Sequence, residues 1–409
     1  MHRGDGRGQS PRRVSWPVVI LLSAMSAIGP LSIDLYLPSL PSIANALATS
    51  ATAVQATVAV FFAGMAVGQL FYGPASDRFG RRKPLLFGLA IYVMGSGACA
   101  GAIGIRALLL GRAAQAVGAC ATPLIARAIV RDHFDYQQSA RFLSLMALIA
   151  GAAPILAPSA GALLLPVLGW RGIFAILALF GLLLGATIFA LLPESRTEAA
   201  ARHSRSEHPF KAYAALLRER RLMGYVAAGA FNGAIVFTYI AASPSVLMQT
   251  YGAAPRQFGL LFGLNAIGII GASQLNRMLL RKFSADAVLA AATLISVVVA
   301  AGLLSANVAR LGGLAGVMAP LFLLVSSGAL IQANALAGAL SIDPLRAGSC
   351  AALFGSFSFG AGALAAMLAG ALGDGTARPM ALVILVSTLG CAVSLRKLAL
   401  RRSSVLADG

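Results

Sequence analysis

The chain has 409 residues, of which 58% are hydrophobic and 11% charged, with a mean hydropathy of +0.83. A soluble domain is typically ~45–50% apolar and ~25% charged, so the composition excludes one and points to a polytopic membrane protein. The net charge of +19 would suit nucleic acid as a partner, but the placement of the charges assigns the surplus to membrane topology.

Twelve apolar segments, each able to cross a ~30 Å hydrocarbon core, follow in chain order: 16–37, 52–72, 84–104, 107–127, 142–165, 172–192, 222–243, 257–276, 287–307, 313–333, 348–371 and 379–395. An even number returns the chain to its starting side. Of the 32 Lys and Arg, only Arg106, Arg171, Arg256, Arg310 and Arg378 fall between spans on one face, and Arg112 lies inside a span. All the others share the opposite face with the two termini. Cytoplasmic loops collect Lys and Arg, so both termini are expected in the cytoplasm. Trp16 after an Arg-rich start reads as an interfacial anchor that is retained.

The expected organisation is a tail (1–15), a six-helix half (16–193), a cytoplasmic linker (194–221), a second six-helix half (222–395) and a tail (396–409). Such a layout suits two parallel repeats related by an axis along the membrane normal. A degenerate echo supports duplication, because 272–282 can be laid over 73–83 with Arg277 on Arg78 and Arg281-Lys282 on Arg82-Lys83. Cys99, Cys120, Cys350 and Cys391 all fall in apolar spans and read as buried small hydrophobes.

Span one carries the chain's one intramembrane acid, Asp34, in Pro30-Leu-Ser-Ile-Asp34-Leu-Tyr36-Leu-Pro38. An ionisable group at that depth is costly and should face a wet cavity or a partner. Pro30, one turn earlier, withholds an N–H from the Ser26 carbonyl. Arg112, with Gln115 and Gly118 in span four, is expected at the depth of Asp34, and contact between them is left open. If Asp34 exchanges a proton for cargo or for an Arg partner, antiport follows. Between spans two and three, Gly73-Pro-Ala-Ser-Asp77-Arg78-Phe-Gly80-Arg81-Arg82-Lys83-Pro84 forms a short basic turn. Its cations can pair with Asp132 and Asp135, which reads as a cytoplasmic gate between the halves, with simple positive-inside anchoring as the plainer alternative.

Span five holds Pro154, Pro158 and Gly161, a spacing that bends a helix and suits a hinge or a close crossing with span eight. In the second half, Asn232, Tyr239, Ser243, Asn265, Gln332 and Asn334 are polar residues in apolar spans, either packing bonds or one wall of a cavity. The glycines of span eleven, Gly355, Gly360, Gly362 and Gly370, suit close helix packing.

These motifs resemble those of the major facilitator superfamily, and specifically drug:proton antiporters of the bacterial Bcr/CflA type. The resemblance rests on 73–83, on Arg112 with Gln115 and Gly118, on 154–161, on Pro30 to Pro38, on Phe237 to Pro244 and on Leu264-Asn265-Ala266. It implies twelve helices in two pseudo-symmetric halves in a bacterial inner membrane, and a monomer that exports small drug-like compounds against protons. Chloramphenicol, bicyclomycin and sulfonamides are among relatives' substrates. On that reading Asp34 and Arg112 couple protons, while Tyr36, Gln115, Tyr239, Ser243 and Asn265 meet cargo. Gly73, Asp77, Arg78, Gly80, Arg81 and Arg82 gate, and Pro154, Pro158 and Gly161 form the hinge. The driving force is the proton gradient, with no cofactor and no metal. The alternatives are a major facilitator exporter or importer of a single metabolite, such as a sugar or amino acid, and a non-transporting sensor. No catalytic, metal or nucleotide motif is present, so the chain is expected to be neither an enzyme nor ATP-driven.

Overall fold

A computed structural model describes residues 16–133, 136–194, 209–343 and 346–399. The expected tail 1–15, most of the linker (195–208), Asp135 and residues 400–409 lie outside the described residues. The architecture is all-helical: α1 (Trp16–Asp34), α2 (Leu40–Ala46), α3 (Ala51–Phe79), α4 (Arg82–Ala100), α5 (Ile105–His133), α6 (Tyr136–Leu191), α7 (Pro209–Arg218), α8 (Arg220–Pro244), α9 (Pro255–Leu279), α10 (Ala285–Val308), α11 (Gly313–Ile342), α12 (Ala347–Ala371) and α13 (Arg378–Ser394).

Two boundaries differ from the sequence reading in ways that matter. The first helix begins at Trp16 as expected, but the apolar span continues beyond 37 to Ala46. Pro38 opens a short 3-10 turn (Leu37–Ser39) and Pro41 lies in the first turn of α2, where a missing N–H costs nothing. Leu37, Leu40 and Ile43 are buried, so the chain stays inside past the prolines. Arg112, seven residues into α5, reaches the Ser32 carbonyl, so Asp34 at the end of α1 lies about two turns in from that end of the bundle. The second difference is α3, which continues through Pro74 to Phe79, so the first half of the basic turn is helical.

Eleven of the described helices are long and apolar enough to cross a membrane, one of them a 40-residue run, Ala152–Leu191. At 1.5 Å per residue that run would reach about 60 Å, twice the hydrocarbon thickness. It is broken at Gly169, whose angles (φ 63°, ψ 175°) leave the helical region and suit a residue without a Cβ. The break separates the expected fifth and sixth spans, 142–165 and 172–192, with no polar loop between them.

The two bundles meet along α3 against α12 and along α6 against α9. At one end, the Thr52 hydroxyl donates to the Gly370 carbonyl at 3.3 Å and Gln55 Nε2 to the Ala366 carbonyl at 3.5 Å. At the other end, Gln69 fills the space a side chain on Gly355 would need, and Gly73 lies over Ala352. Midway, the Phe237 ring is stacked between Phe62 (centroids 4.2 Å apart) and Phe359 (4.8 Å). The halves are thus in contact near both ends of α3 and α12. The four cysteines are buried free thiols.

α6 keeps helical angles through Pro154 and Pro158. Its crossing with α9 is close, with Gly259 on Ser159 and Gly263 on Ile155. Gly161 faces α1 instead, and a Cβ there would overlap the Leu35 carbonyl directly after Asp34. Backbone cannot yield as a flexible side chain can, so Gly161→Val is expected to destabilise the protein by about 1–3 kcal/mol, the usual cost of overpacking. Thermal melting of the detergent-solubilised protein checks this; an unchanged midpoint would mean the crossing is looser than drawn.

Candidate functional site

α1 ends at Asp34 in the interior, so its last carbonyls lack helical donors. Arg112 of α5, fully buried, answers one of them: its Nη1 donates to the Ser32 carbonyl at 2.9 Å and to Gln115 Oε1 at 2.6 Å. A longer contact runs from Nε to the Thr57 carbonyl at 3.5 Å. A cation at the negative end of a helix is also favoured by its dipole. The guanidinium lies over the rings of Phe61 (4.2 Å) and Tyr36 (4.3 Å), with Phe174 at 5.8 Å. Such cation–π contacts are strongest when desolvated.

The surrounding polar groups are used up internally. Gln115 Nε2 donates to the Ser96 hydroxyl at 2.8 Å, which itself donates to the Tyr92 carbonyl at 2.8 Å. The Tyr92 and Ser32 hydroxyls are 2.8 Å apart, and Tyr36 shares a hydrogen bond of 3.1 Å with the Thr57 hydroxyl. Tyr36 and Gln115 therefore belong to the shell that holds Arg112, with their polar atoms committed there.

Asp34 is separate from this shell. It is 3% exposed, no ion pair joins it to Arg112 among the described residues, and its Oδ1 is buried without a hydrogen-bond partner. Its charge instead reaches Tyr239 of α8, in the other half. The Tyr239 hydroxyl accepts from Asn265 Nδ2 at 2.8 Å, so its own proton remains available for donation. Asn265 Oδ1 is a second buried acceptor without a partner. Tyr239 stacks on Phe262 (5.2 Å), and Ser243, one turn further along α8, is buried and donates to the Ile240 carbonyl at 3.3 Å. Tyr239 and Asn265 thus form a hydrogen-bonded pair in the second half, with Asp34 of the first half within electrostatic range of the phenol. The other polar residues of the second half serve packing: Asn232 donates to the Gly328 carbonyl and to Gln332, and Asn334 to Asn276 Oδ1.

The basic turn is a third assembly. Arg81 Nε donates to Asp132 Oδ2 at 2.7 Å, and its Nη1 to Asp77 (2.8 Å) and the Ser76 hydroxyl (2.6 Å). Glu194 accepts from the backbone N–H groups of Arg81 (2.8 Å) and Arg82 (3.1 Å), at the start of α4. Gly80 makes this possible: its φ is +86°, and a Cβ would lie 2.5 Å from Glu194 Oε2. Arg82 donates to the Phe189 carbonyl, and Arg78 is exposed. These contacts lie within the first half, tying the ends of α3, α4, α5 and α6. At this level the halves meet through Gly73 on Ala352, and the charge of Asp77 reaches Tyr213 of α7.

A family model described as Major Facilitator Superfamily matches residues 22–366. The chain belongs to the major facilitator superfamily. It is 33% identical over 374 residues to an uncharacterised MFS-type transporter, YdgK, of Bacillus subtilis, covering 91% of this chain and 92% of that one. It is 30% identical over 381 residues to a bicyclomycin resistance protein homolog of Haemophilus influenzae, covering 93% and 94%. A chloramphenicol resistance protein of Pseudomonas aeruginosa is 30% identical over 292 residues, with 68% and 67% covered. Among solved structures, a D-xylose-proton symporter superposes with a TM-score of 0.71 at 15% identity, over 92% of this chain and 97% of that one. This major facilitator protein is therefore a multi-pass membrane transporter, not an enzyme.

Sequence reasoning missed Glu194, Phe61, Phe174 and Thr57. Glu194, directly after Pro193 at the end of a span, was legible as a cap for a neighbouring helix. The two phenylalanines look like ordinary core in an apolar run. Arg112→Lys keeps the charge but loses the planar group that serves rings and carbonyls together. It is expected to cost about 1–2 kcal/mol, read as a lower melting temperature. Glu194→Ala, which leaves two N–H groups of α4 without their acceptor, should cost about 1 kcal/mol at this partly exposed site, by the same measurement.

Proposed function

We propose that the chain is a proton-driven exporter of small amphipathic compounds, working by alternating access as a monomer in a bacterial inner membrane with both termini in the cytoplasm. The observation that carries this reading is Asp34, an intramembrane carboxyl with a buried oxygen left without a partner, within electrostatic range of a phenol of the opposite half. Desolvation disfavours an uncompensated charge there, so the carboxyl can trade a proton against an incoming cation or hydrogen-bond donor. The names of the relatives, two of them resistance proteins for bicyclomycin and chloramphenicol, support drug-like cargo. The Lys/Arg distribution supports the orientation, and the proton gradient is the driving force, with no cofactor in the cycle.

In this scheme Asp34 carries the proton. Arg112, held by Tyr36 and Gln115, fixes the broken end of α1 and tunes its surroundings. Tyr239, Ser243 and Asn265 present the second half to cargo. Gly73, Asp77, Arg78, Gly80, Arg81 and Arg82 keep the cytoplasmic ends of the first half together as it rocks, and the stretch of α6 with Pro154, Pro158 and Gly161 is the hinge.

The test is cargo-driven proton release in inverted vesicles, alongside growth of a pump-deficient bacterium on a broad compound panel. Wild type should raise resistance to several compounds and release protons when they are added, and Asp34→Asn should abolish both. Undiminished release from Asp34→Asn would remove Asp34 from this role. Uptake of a single labelled metabolite, with no change in drug susceptibility, would overturn the export reading.

A further inference from the structure

α7, Pro209–Arg218, precedes α8 without crossing the membrane, and its buried residues face both halves. Leu216 is fully within the apolar cluster of Leu222, Tyr225, Val226, Leu353 and Phe354, all of the second half, and the Tyr213 ring packs against that cluster. The Tyr213 hydroxyl points the other way and donates to the Leu70 carbonyl of α3 at 3.3 Å. One side chain thus has its ring in one half and its hydrogen bond in the other.

Leu70 is not an arbitrary acceptor. Its carbonyl would normally receive the N–H of the residue four positions on, which is Pro74, and proline has none to give. A carbonyl in a water-poor helix end must find a donor elsewhere. Burial, and then the nearby charge of Asp77, push the Tyr213 phenol up to about 12, so it keeps its proton and remains a donor at physiological pH.

We propose that Tyr213 is a positioning residue that clasps the two halves at the face of the basic turn, supplying Leu70 with the hydrogen that Pro74 withholds. The inference rests on the alternating-access reading above: opening that face separates α3 from the second half, and the hydrogen bond must break as it does. The clasp therefore weights the equilibrium toward the closed arrangement, and the gap left by Pro74 is what gives the hydroxyl a partner.

The experiment measures conformation rather than flux. Spin labels at Lys83, in the first half, and Lys282, in the second, are both exposed and report the separation of the bundles on this face. In wild type the distance distribution should hold a closed and an open population. Tyr213→Phe keeps the ring in its cluster and removes only the hydroxyl, and should raise the open-to-closed ratio about fivefold, the size of one net hydrogen bond. Pro74→Ala returns an N–H to Leu70, and in that background Tyr213→Phe should have little effect. An unchanged ratio in Tyr213→Phe, or an equal shift whether residue 74 is Pro or Ala, would overturn the clasp while leaving alternating access intact. A single fixed distance in wild type at every pH, with and without an added drug, would overturn the rocking reading and the clasp with it.

Discussion

A helix that stops inside an apolar bundle leaves carbonyls where lipid can offer no donor, and most of the interior of the first half follows from how that problem is met. α1 stops at Asp34, twelve residues short of the end of its apolar span at Ala46. Arg112 covers the exposed end from α5, and a bare guanidinium at that depth needs a host of its own. Tyr36 and Phe61 supply ring faces, Gln115 and the Ser32 carbonyl supply acceptors, and Ser96, Tyr92 and Thr57 hold those groups in turn. Gly161 then lets α6 lie directly on the Leu35 backbone. Packing, hydrogen bonding and charge at this level are consequences of one interrupted helix.

The same arrangement sets what Asp34 can do. Arg112 is engaged through Nη1, Nε and the rings, and among the described residues no ion pair joins it to the carboxylate two residues beyond the carbonyl it caps. The acid is left within electrostatic range of Tyr239, across the boundary between halves. A coupling group needs that kind of freedom: a carboxylate locked in a buried ion pair would be costly to pull away from its partner. In the proposed cycle Arg112 therefore acts by holding geometry.

The limits of the sequence are instructive at this point. The intramembrane acid and base, the twelve spans, the charged turn and the superfamily were all legible, because each depends on order along the chain, on hydropathy or on charge counts. The depth match between Asp34 and Arg112 also emerges, since Arg112 reaches the Ser32 carbonyl. What could not be read was rotation about each helix axis. Depth along a helix is a one-dimensional quantity, whereas facing depends on which neighbours pack where, and so Tyr36 and Gln115 join Arg112 while Tyr239 pairs with Asn265. The first span was read too short because Pro38 looks like an exit from the membrane, whereas Pro38 and Pro41 sit in the opening turns of short buried helical segments. The division between 142–165 and 172–192 was legible without any polar loop, and a single residue with positive φ, Gly169, makes it.

Pro30 and Pro74 create the same local defect, a carbonyl whose helical donor is missing, at two different depths. Pro30 acts within α1, one turn before the coupling candidate, where the orphaned group adds polarity to the face that carries Asp34. Pro74 acts near the end of α3, where the orphaned Leu70 carbonyl takes its hydrogen from another part of the chain. The difference in chemistry matters for the proposed proton-driven cycle. The Tyr213 phenol does not titrate in the physiological range, so a clasp built on it holds equally at any pH the cell meets. Sensitivity to protons has then to enter through an ionisable group that faces the other half, and in the interior Asp34 is so placed. In the proposed cycle a neutral bond sets the resting bias of the rocking motion, and the buried acid is left to change that bias when a proton or cargo arrives.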